Sequence, residues 1–329
     1  MEKPLVDHLT SQDFVSTTSL ASLVQGYILN CRCEGKSLST VVTYEEHLRR
    51  FLAYCQQKGI PDQPAKLGTH HLRDFLWYEA REPVRWSGRP TTARRAAGQS
   101  TVNHYYRVLN TFFRWLEKEK LIAENPLAHL KPPKIEQKAV QALSQNKVEA
   151  LLGCCPPKNL LGCRDRAIIL VLLDSGLRVS ELADLRVGDV DMKTGAVLVK
   201  NGKGGKQRLV RLGSAARKAL WRYMALYRRG EGDRLFLTRG GKPLKANAIK
   251  LMVRRLGKEA GVPNVHVHRL RHTFAISFLR AGGDIFTLKY LMGHSSLVMV
   301  QNYLKSLNAE DAAKAHERFG PVDHMNLKG

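Results

Sequence analysis

Acidic residues are scarce in this 329-residue sequence: 29 Asp and Glu stand against 53 Lys and Arg, a formal net charge of +24. That excess is far above what solubility asks for, and it points to a polyanionic partner. Long apolar runs are also missing, since no stretch approaches the roughly 18 apolar residues needed to span a bilayer. The start, Met1-Glu-Lys-Pro-Leu5, has no run resembling a secretory signal, so a cytoplasmic protein is expected. Cysteine is sparse and wrongly spaced for a zinc ribbon. Cys31, Cys33, Cys55 and the group Cys154, Cys155 and Cys163 contain no matched second pair, and they are read as reduced packing thiols. No metal site is expected. There is no internal repeat and no low-complexity run. The length suits two domains, each able to bury its own core.

The first 130 residues carry helical periodicity. Apolar residues recur at three-and-four spacing over Ser19–Cys31, Thr40–Lys58, Thr69–Arg81 and Ser100–Lys120, which predicts a four-helix bundle. The segment from Pro83 to Ser100 reads as a loop. It holds Arg85, Arg89, Arg94 and Arg95, two prolines, two glycines and no acid, and it fits either a solvated insertion or a phosphate or minor-groove contact. Adjacent prolines at 132–133 mark a stiff linker, placed at 131–142. The rest is mixed. Helices are predicted at Asn146–Leu152, Arg164–Ser175, Val179–Leu185, Ser214–Arg229, Ala246–Ala260, 268–281, 284–292, 296–305 and 309–318. Ala196-Val-Leu-Val-Lys200 and Gln207-Arg-Leu-Val-Arg-Leu212 form an antiparallel hairpin with its tip at Asn201–Gly205. The stretch from Arg239 to Lys258 holds seven basic residues and no acid, among them Lys242, Lys245, Lys250 and Arg254. A solvated helix usually mixes signs, so these four are expected on a polyanion.

Scattered through the second half are Arg178, Lys203, His268, Arg271, His294 and Tyr303. Such a set can cut a phosphodiester. Guanidinium forks hold the non-bridging oxygens, a lysine protonates the leaving oxygen, and a phenol attacks phosphorus. Arg178 opens a helix, where positive charge is disfavoured, and Glu181 one turn later can orient it. Lys203 sits at the hairpin tip, with Lys206 as competitor and Arg208 close behind. His268 and Arg271 share a helix face, and His272 is read as structural, with His266 unassigned. A metal reading of His268 and His272 fails on the flanking Arg269 and Arg271. His294 follows a glycine turn, and Tyr303 comes nine residues after it.

Five local contexts carry a family resemblance: Ser175-Gly-Leu-Arg-Val-Ser-Glu-Leu182, Gly202-Lys-Gly-Gly-Lys206, His268-Arg-Leu-Arg-His272, Leu291-Met-Gly-His-Ser-Ser296, and the spacing to Tyr303. Over residues 15–315 the chain resembles the tyrosine recombinase (integrase) family, with the Xer-like and mobile-element branches nearest. The resemblance implies a mainly α fold with a small antiparallel β-sheet. It implies an N-terminal four-helix core-binding domain (1–130), a linker (131–142), a mixed α/β catalytic domain (143–306) and a tail (307–329) that docks on a neighbouring protomer or packs in cis. By the same resemblance Arg178, Arg271 and His294 hold the phosphate, with Glu181 supporting Arg178. Lys203 is the acid, His268 the base and Tyr303 the nucleophile. Arg85, Arg89, Arg94, Arg95, Lys206, Arg208, Lys242, Lys245, Lys250 and Arg254 contact DNA.

The resemblance further implies a homotetramer on two double-stranded DNA sites, passing through a Holliday junction and needing no cofactor. It leaves room for an accessory DNA-bending or directionality protein. The arginine-rich loop and high charge favour integration or excision of a mobile element over Xer-type dimer resolution. A type IB topoisomerase and a non-catalytic DNA-binding factor are the rivals.

Overall fold

The computed structural model describes residues 19–82, 96–135, 141–200, 207–230, 232–294, 296–307, 311–313 and 316–317. The expectations for Arg85, Arg89, Arg94 and Arg95, for Lys203 and Lys206, and for most of the tail fall outside these residues. The chain divides into two compact units, Met1–Gln137 and Lys138–Gly329.

The first unit contains α1 (Leu20–Cys33), α2 (Leu38–Gln57), α3 (Thr69–Arg81) and α4 (Gln99–Lys118). Serine caps set the first two starts. The Ser19 hydroxyl accepts from the Ser22 amide at 3.1 Å, and that of Ser37 from Thr40 at 3.2 Å. The apolar stripe of α4, from Val102 through Tyr105, Leu109, Phe112 and Phe113 to Leu116, is buried against Leu20, Tyr27, Phe51 and Phe75. Rings meet edge-on, Phe51 on Phe75 at 5.1 Å and Phe112 on Phe113 at 5.3 Å. The chain leaving α4 is bound back onto it. Tyr106 donates its hydroxyl proton to the Leu130 carbonyl at 2.7 Å, and the Asn103 amide donates to Pro133 at 2.7 Å.

The second unit is built around α6 (Leu160–Ser175), whose Ala167, Ile168, Ile169, Val171 and Leu172 are fully buried. This helix starts four residues before the predicted Arg164, because the Asn159 side chain caps it by accepting from the Gly162 amide at 2.9 Å. Around it lie α5 (Gln145–Gly153), α7 (Val179–Asp184), α8 (Ser214–Leu226), α9 (Ala246–Glu259) and α10 (Val267–Arg280). Strands β1 (Ala196–Val199) and β2 (Arg208–Arg211) pair antiparallel in the register Ala196 to Arg211 and Val199 to Arg208. Two short helices follow, α11 (Ile285–Met292) and α12 (Val298–Leu304). With α10 they form a small separate core of Ala275, Ile276, Leu288, Met292, Val300 and Tyr303. The fold is therefore mainly α with a small two-stranded antiparallel sheet.

Candidate active site

Two left-handed glycines prepare the site. Gly176 closes α6 at φ 61°, and Gly293 closes α11 at φ 61°. A Cβ on Gly176 would meet the Phe274 ring at 2.3 Å, and one on Gly293 would meet the Arg208 guanidinium at 3.0 Å. Each turn presents its glycine carbonyl to an arginine. Gly176 accepts from Arg271 Nη1, and Gly293 accepts from Arg178 Nη2 at 2.9 Å.

Arg178 is the N-cap of α7. Its backbone amide donates to Glu181 Oε2 at 2.7 Å and its Nη1 to Oε1 at 2.9 Å. Glu181 is buried and also receives Arg208, Nη1 on Oε1 at 2.9 Å and Nη2 on Oε2 at 2.7 Å. Burial alone would raise the Glu181 pKa. The hydrogen bonds from Arg208 and from the Arg178 amide, with both guanidinium charges, outweigh it and hold the carboxyl at about 2.

Arg208 corrects the sequence expectation. Strand β2 alternates, with Arg208 and Val210 buried and Leu209 and Arg211 exposed, so Arg208 shares the inward face. Only 5% of it is exposed, and its Nε donates to the Leu291 carbonyl at 2.7 Å. It is a buried strut between β2, α7 and the end of α11, and it offers no surface to DNA.

Arg271, on α10, is 4% exposed and has no carboxylate partner among the described residues. Its Nη2 donates to the Met292 carbonyl at 2.7 Å and to His294 Nε2 at 2.8 Å. Burial first, then the neighbouring Arg178 charge, pull its pKa down to about 10, so it stays cationic at neutral pH. A guanidinium cannot accept, so His294 Nε2 is the acceptor and its ring proton sits on Nδ1. That Nδ1 is buried without a hydrogen-bond partner among the described residues. Burial, then Arg271 and Arg178, hold His294 at about 4, neutral at physiological pH.

Tyr303 on α12 is 4% exposed within the small core. Burial raises its pKa, and the charges of Arg271 and Arg178 pull it back without cancelling the rise. Its hydroxyl lies 3.1 Å from His272 Nδ1. His272, expected to be structural, thus packs directly against Tyr303. The reason is helical geometry: Arg271 and His272 point about 100° apart, and Tyr303 lies where both reach it. His268, one turn before His272, has its ring 6.4 Å from that of His272 and makes no hydrogen bond to Tyr303 among the described residues. Partial burial, then Arg271, His266, Lys250 and Arg178, keep its pKa low. His266 is the N-cap of α10, its Nδ1 accepting from the Arg269 amide at 3.2 Å.

Lys242, Lys245, Lys250 and Arg254 are exposed and form no ion pair among the described residues. Lys250 acts electrostatically on His268 and Arg254 on His266, so this basic face of α9 adjoins the site. The described residues contain no group of three His, Cys, Asp or Glu able to hold a metal, and no helix long and apolar enough to cross a membrane.

Taken together, Arg178, Arg271, His294 and Tyr303 converge, with Glu181, Arg208 and His272 around them. Arg178 and Arg208 share one carboxylate and Arg271 has none among the described residues, so the cluster keeps a net positive charge beside a phenol. The free guanidinium donors and the His294 Nδ1 proton suit the oxygens of a bound phosphate.

Residues 141–310 match the phage integrase family, and residues 23–123 match the N-terminal SAM-like domain of phage integrases. The chain is 36% identical over 272 residues to the tyrosine recombinase XerC of Bacillus subtilis, covering 80% of this chain and 84% of that one. It is 31% identical over 302 residues to XerC of Xanthomonas campestris pv. campestris, covering 91% and 88%. In fold it is similar to the Tn1549 transposon integrase solved with transposon right end DNA, at TM-score 0.73 and 19% identity over 92% of this chain and 100% of that one. It is also similar to a lambda integrase dimer bound to a COC′ core site, at TM-score 0.69 and 16% identity over 100% of this chain and 85% of that one. Its sequence, fold and clustered site together make this chain a member of the tyrosine recombinase family, a site-specific recombinase enzyme.

Proposed function

We propose that the chain cuts and rejoins double-stranded DNA through a 3′-phosphotyrosine on Tyr303. The observation that carries this reading is Arg271, a guanidinium 4% exposed with no carboxylate of its own, set beside Arg178, His294 and the Tyr303 phenol. A buried charge without a counter-ion is costly, and a phosphate between the two arginines offsets that cost. In this reading Arg178, Arg271 and the His294 Nδ1 proton bind the non-bridging oxygens more tightly as charge builds on the phosphorane. The Tyr303 oxygen forms a bond to phosphorus as its proton passes to His268, the base the resemblance implies, and the bond to the 5′-oxygen breaks. Lys203, or Lys206 in reserve, protonates the departing oxygen. The phosphotyrosine keeps the bond energy, and the free 5′-hydroxyl of a partner duplex attacks it in turn. No nucleotide or metal cofactor enters this scheme, because fixed cations supply the charge.

The larger event in this reading is strand exchange between two sites by four protomers through a Holliday junction. Lys242, Lys245, Lys250 and Arg254 contact the backbone, as do Arg85, Arg89, Arg94 and Arg95. That arginine-rich segment favours integration or excision of a mobile element. The likeness to proteins named XerC favours the second reading, resolution of chromosome or plasmid dimers.

A nicked suicide duplex tests the chemistry: a covalent protein–DNA adduct should form with the native chain and vanish in Tyr303→Phe. An adduct that persists in the variant would move the nucleophile elsewhere. Sequencing the cleaved sites across a genome separates the two roles. Cuts at one chromosomal locus would favour dimer resolution, and cuts at element ends would favour integration.

A further inference from the structure

We infer that Arg208 is a positioning residue for the phosphate clamp, holding Glu181 so that the carboxylate orients Arg178 without neutralising it. The assignment rests on the reading of Arg178 as a phosphate ligand. Three observations lead there. First, donor and acceptor are unambiguous throughout the trio, because a guanidinium can only donate. Arg208 grips the carboxylate with both terminal nitrogens, Nη1 on Oε1 at 2.9 Å and Nη2 on Oε2 at 2.7 Å, a paired geometry that fixes the carboxylate plane. Arg178 takes the places left over: its Nη1 shares Oε1 at 2.9 Å, and its backbone amide shares Oε2 at 2.7 Å. Second, Arg208 braces the turn that holds Arg178 from the other side. Its Nε donates to the Leu291 carbonyl at 2.7 Å, and a Cβ on Gly293 would meet its guanidinium at 3.0 Å. The Gly293 carbonyl in turn receives Arg178 Nη2 at 2.9 Å. Third, burial is graded along the trio. The side chains of Glu181 and Arg208 are 1% and 4% exposed and that of Arg178 is 22% exposed, so Arg178 is the member that can reach a ligand.

The charge balance gives this arrangement its purpose. Two guanidiniums and one carboxylate leave a surplus of one positive charge, felt by Arg271 beside them. Arg178 spends one proton of Nη1 and one of Nη2 on Glu181 and Gly293. Its Nε proton and the second proton of each terminal nitrogen are unengaged among the described residues. Without Arg208 the surplus vanishes. Glu181 is then left in a buried site with lone pairs unmet, which is costly, and the donors within reach are those of Arg178. A carboxylate and a guanidinium left to each other favour a two-bonded pair. Such a pair turns the Arg178 donors inward and cancels the charge that a phosphate needs. Arg208 prevents this by occupying both oxygens. Its entry point is set by the hairpin, where it faces inward from β2 opposite Val199.

Single-turnover cleavage of a nicked suicide duplex by the full chain, below the melting transition of each variant, tests this. Arg208→Met should slow adduct formation by about 10²-fold, the size of losing a donor aimed at developing charge. Arg208→Gln keeps a polar contact but no charge, so it should be as slow, and it serves if the methionine variant folds poorly. Arg208→Lys keeps the charge and should be slowed less. The discriminating readout adds Glu181→Gln to either slow variant. Removing the carboxylate frees Arg178, so the double variant should recover about tenfold over the single one, although one more native contact is gone. A merely structural role predicts the opposite sign. A methylphosphonate at the scissile position gives a second readout. That group is uncharged and asks less of Arg178, so the deficit of Arg208→Met should shrink on it, as that of Arg178→Ala should. A double variant no faster than the single one, or a deficit as large on methylphosphonate as on phosphate, would overturn the positioning role. Native cleavage by Arg178→Ala would instead overturn the phosphate ligand itself, so the two failures are distinguishable.

Discussion

Glu181→Gln perturbs the centre of the charge balance. The carboxylate is 1% exposed, its partner Arg208 is 4% exposed, and Arg178 completes the trio at 22%. Four donors converge on it, the Arg178 amide, Arg178 Nη1, and both terminal nitrogens of Arg208. Holding this carboxyl at about 2 against an ordinary 4.5 corresponds to about 3 kcal/mol of folding stability. Removing one partner of a buried ion pair costs about 3–5 kcal/mol, and glutamine keeps one acceptor, so the lower end applies. For a unit the size of Lys138–Gly329, that is a fall in melting temperature of about 6–12 °C near neutral pH. The sign with pH follows from the depressed pKa. The contribution is complete above 4.5 and is lost as pH falls through about 2, so the gap between native and variant should shrink by about half near pH 3. Calorimetric melts of both proteins across this range decide the matter. Equal melting temperatures at neutral pH, or a gap that does not narrow in acid, would refute the shared-carboxylate argument.

His272 and His294 are each held at about 4 by burial first and then by neighbouring positive groups, so the unfolded chain binds protons before the folded one does. Stability should therefore be full above the ordinary 6.5 and decline as pH falls towards 4, with a shallower decline in His294→Gln; a flat profile would contradict the burial argument. Lys250→Ala and Arg254→Ala should each reduce the salt dependence of DNA binding by about one phosphate's worth and leave stability within about 0.5 kcal/mol. Arg208→Met should do the reverse, lowering the melting temperature and slowing cleavage with an unchanged salt slope in filter-binding assays. Adduct formation in excess chelator should proceed at the full rate, and a strict divalent-metal requirement would contradict the fixed-cation scheme.

Local contexts make much of the site legible in the sequence alone. Gly176 and Gly293 each announce a sharp turn, and Arg178 and His294 follow those turns within two residues. Glu181 is one helical turn from Arg178, so their contact is a matter of local spacing. What local spacing cannot provide is the third dimension. In the sequence Arg208 looks like one more cation behind a basic hairpin tip, although Val210 two residues on already marks the inward face of β2. Its carboxylate partner is 27 residues away in sequence, and nothing in the strand itself names it. His272 lies off the face that pairs His268 with Arg271, so helical spacing alone gives it no partner. Its partner Tyr303 is 31 residues on, brought back by the packing of α10, α11 and α12 around Ile276, Leu288 and Val300. The helices of both units are visible in their apolar periodicity, and the largest difference in bounds, at the start of α6, is set by the Asn159 cap.

The most direct test of the central claim is the identity of the DNA-linked residue. The adduct trapped on a nicked suicide duplex, made in chelator and digested with protease and nuclease, should yield one nucleotide-bearing peptide whose mass spectrum places the phosphodiester on Tyr303. A phosphodiester on Tyr290, Tyr227 or any non-tyrosine residue would contradict the account, as would an adduct formed only when a divalent metal is restored.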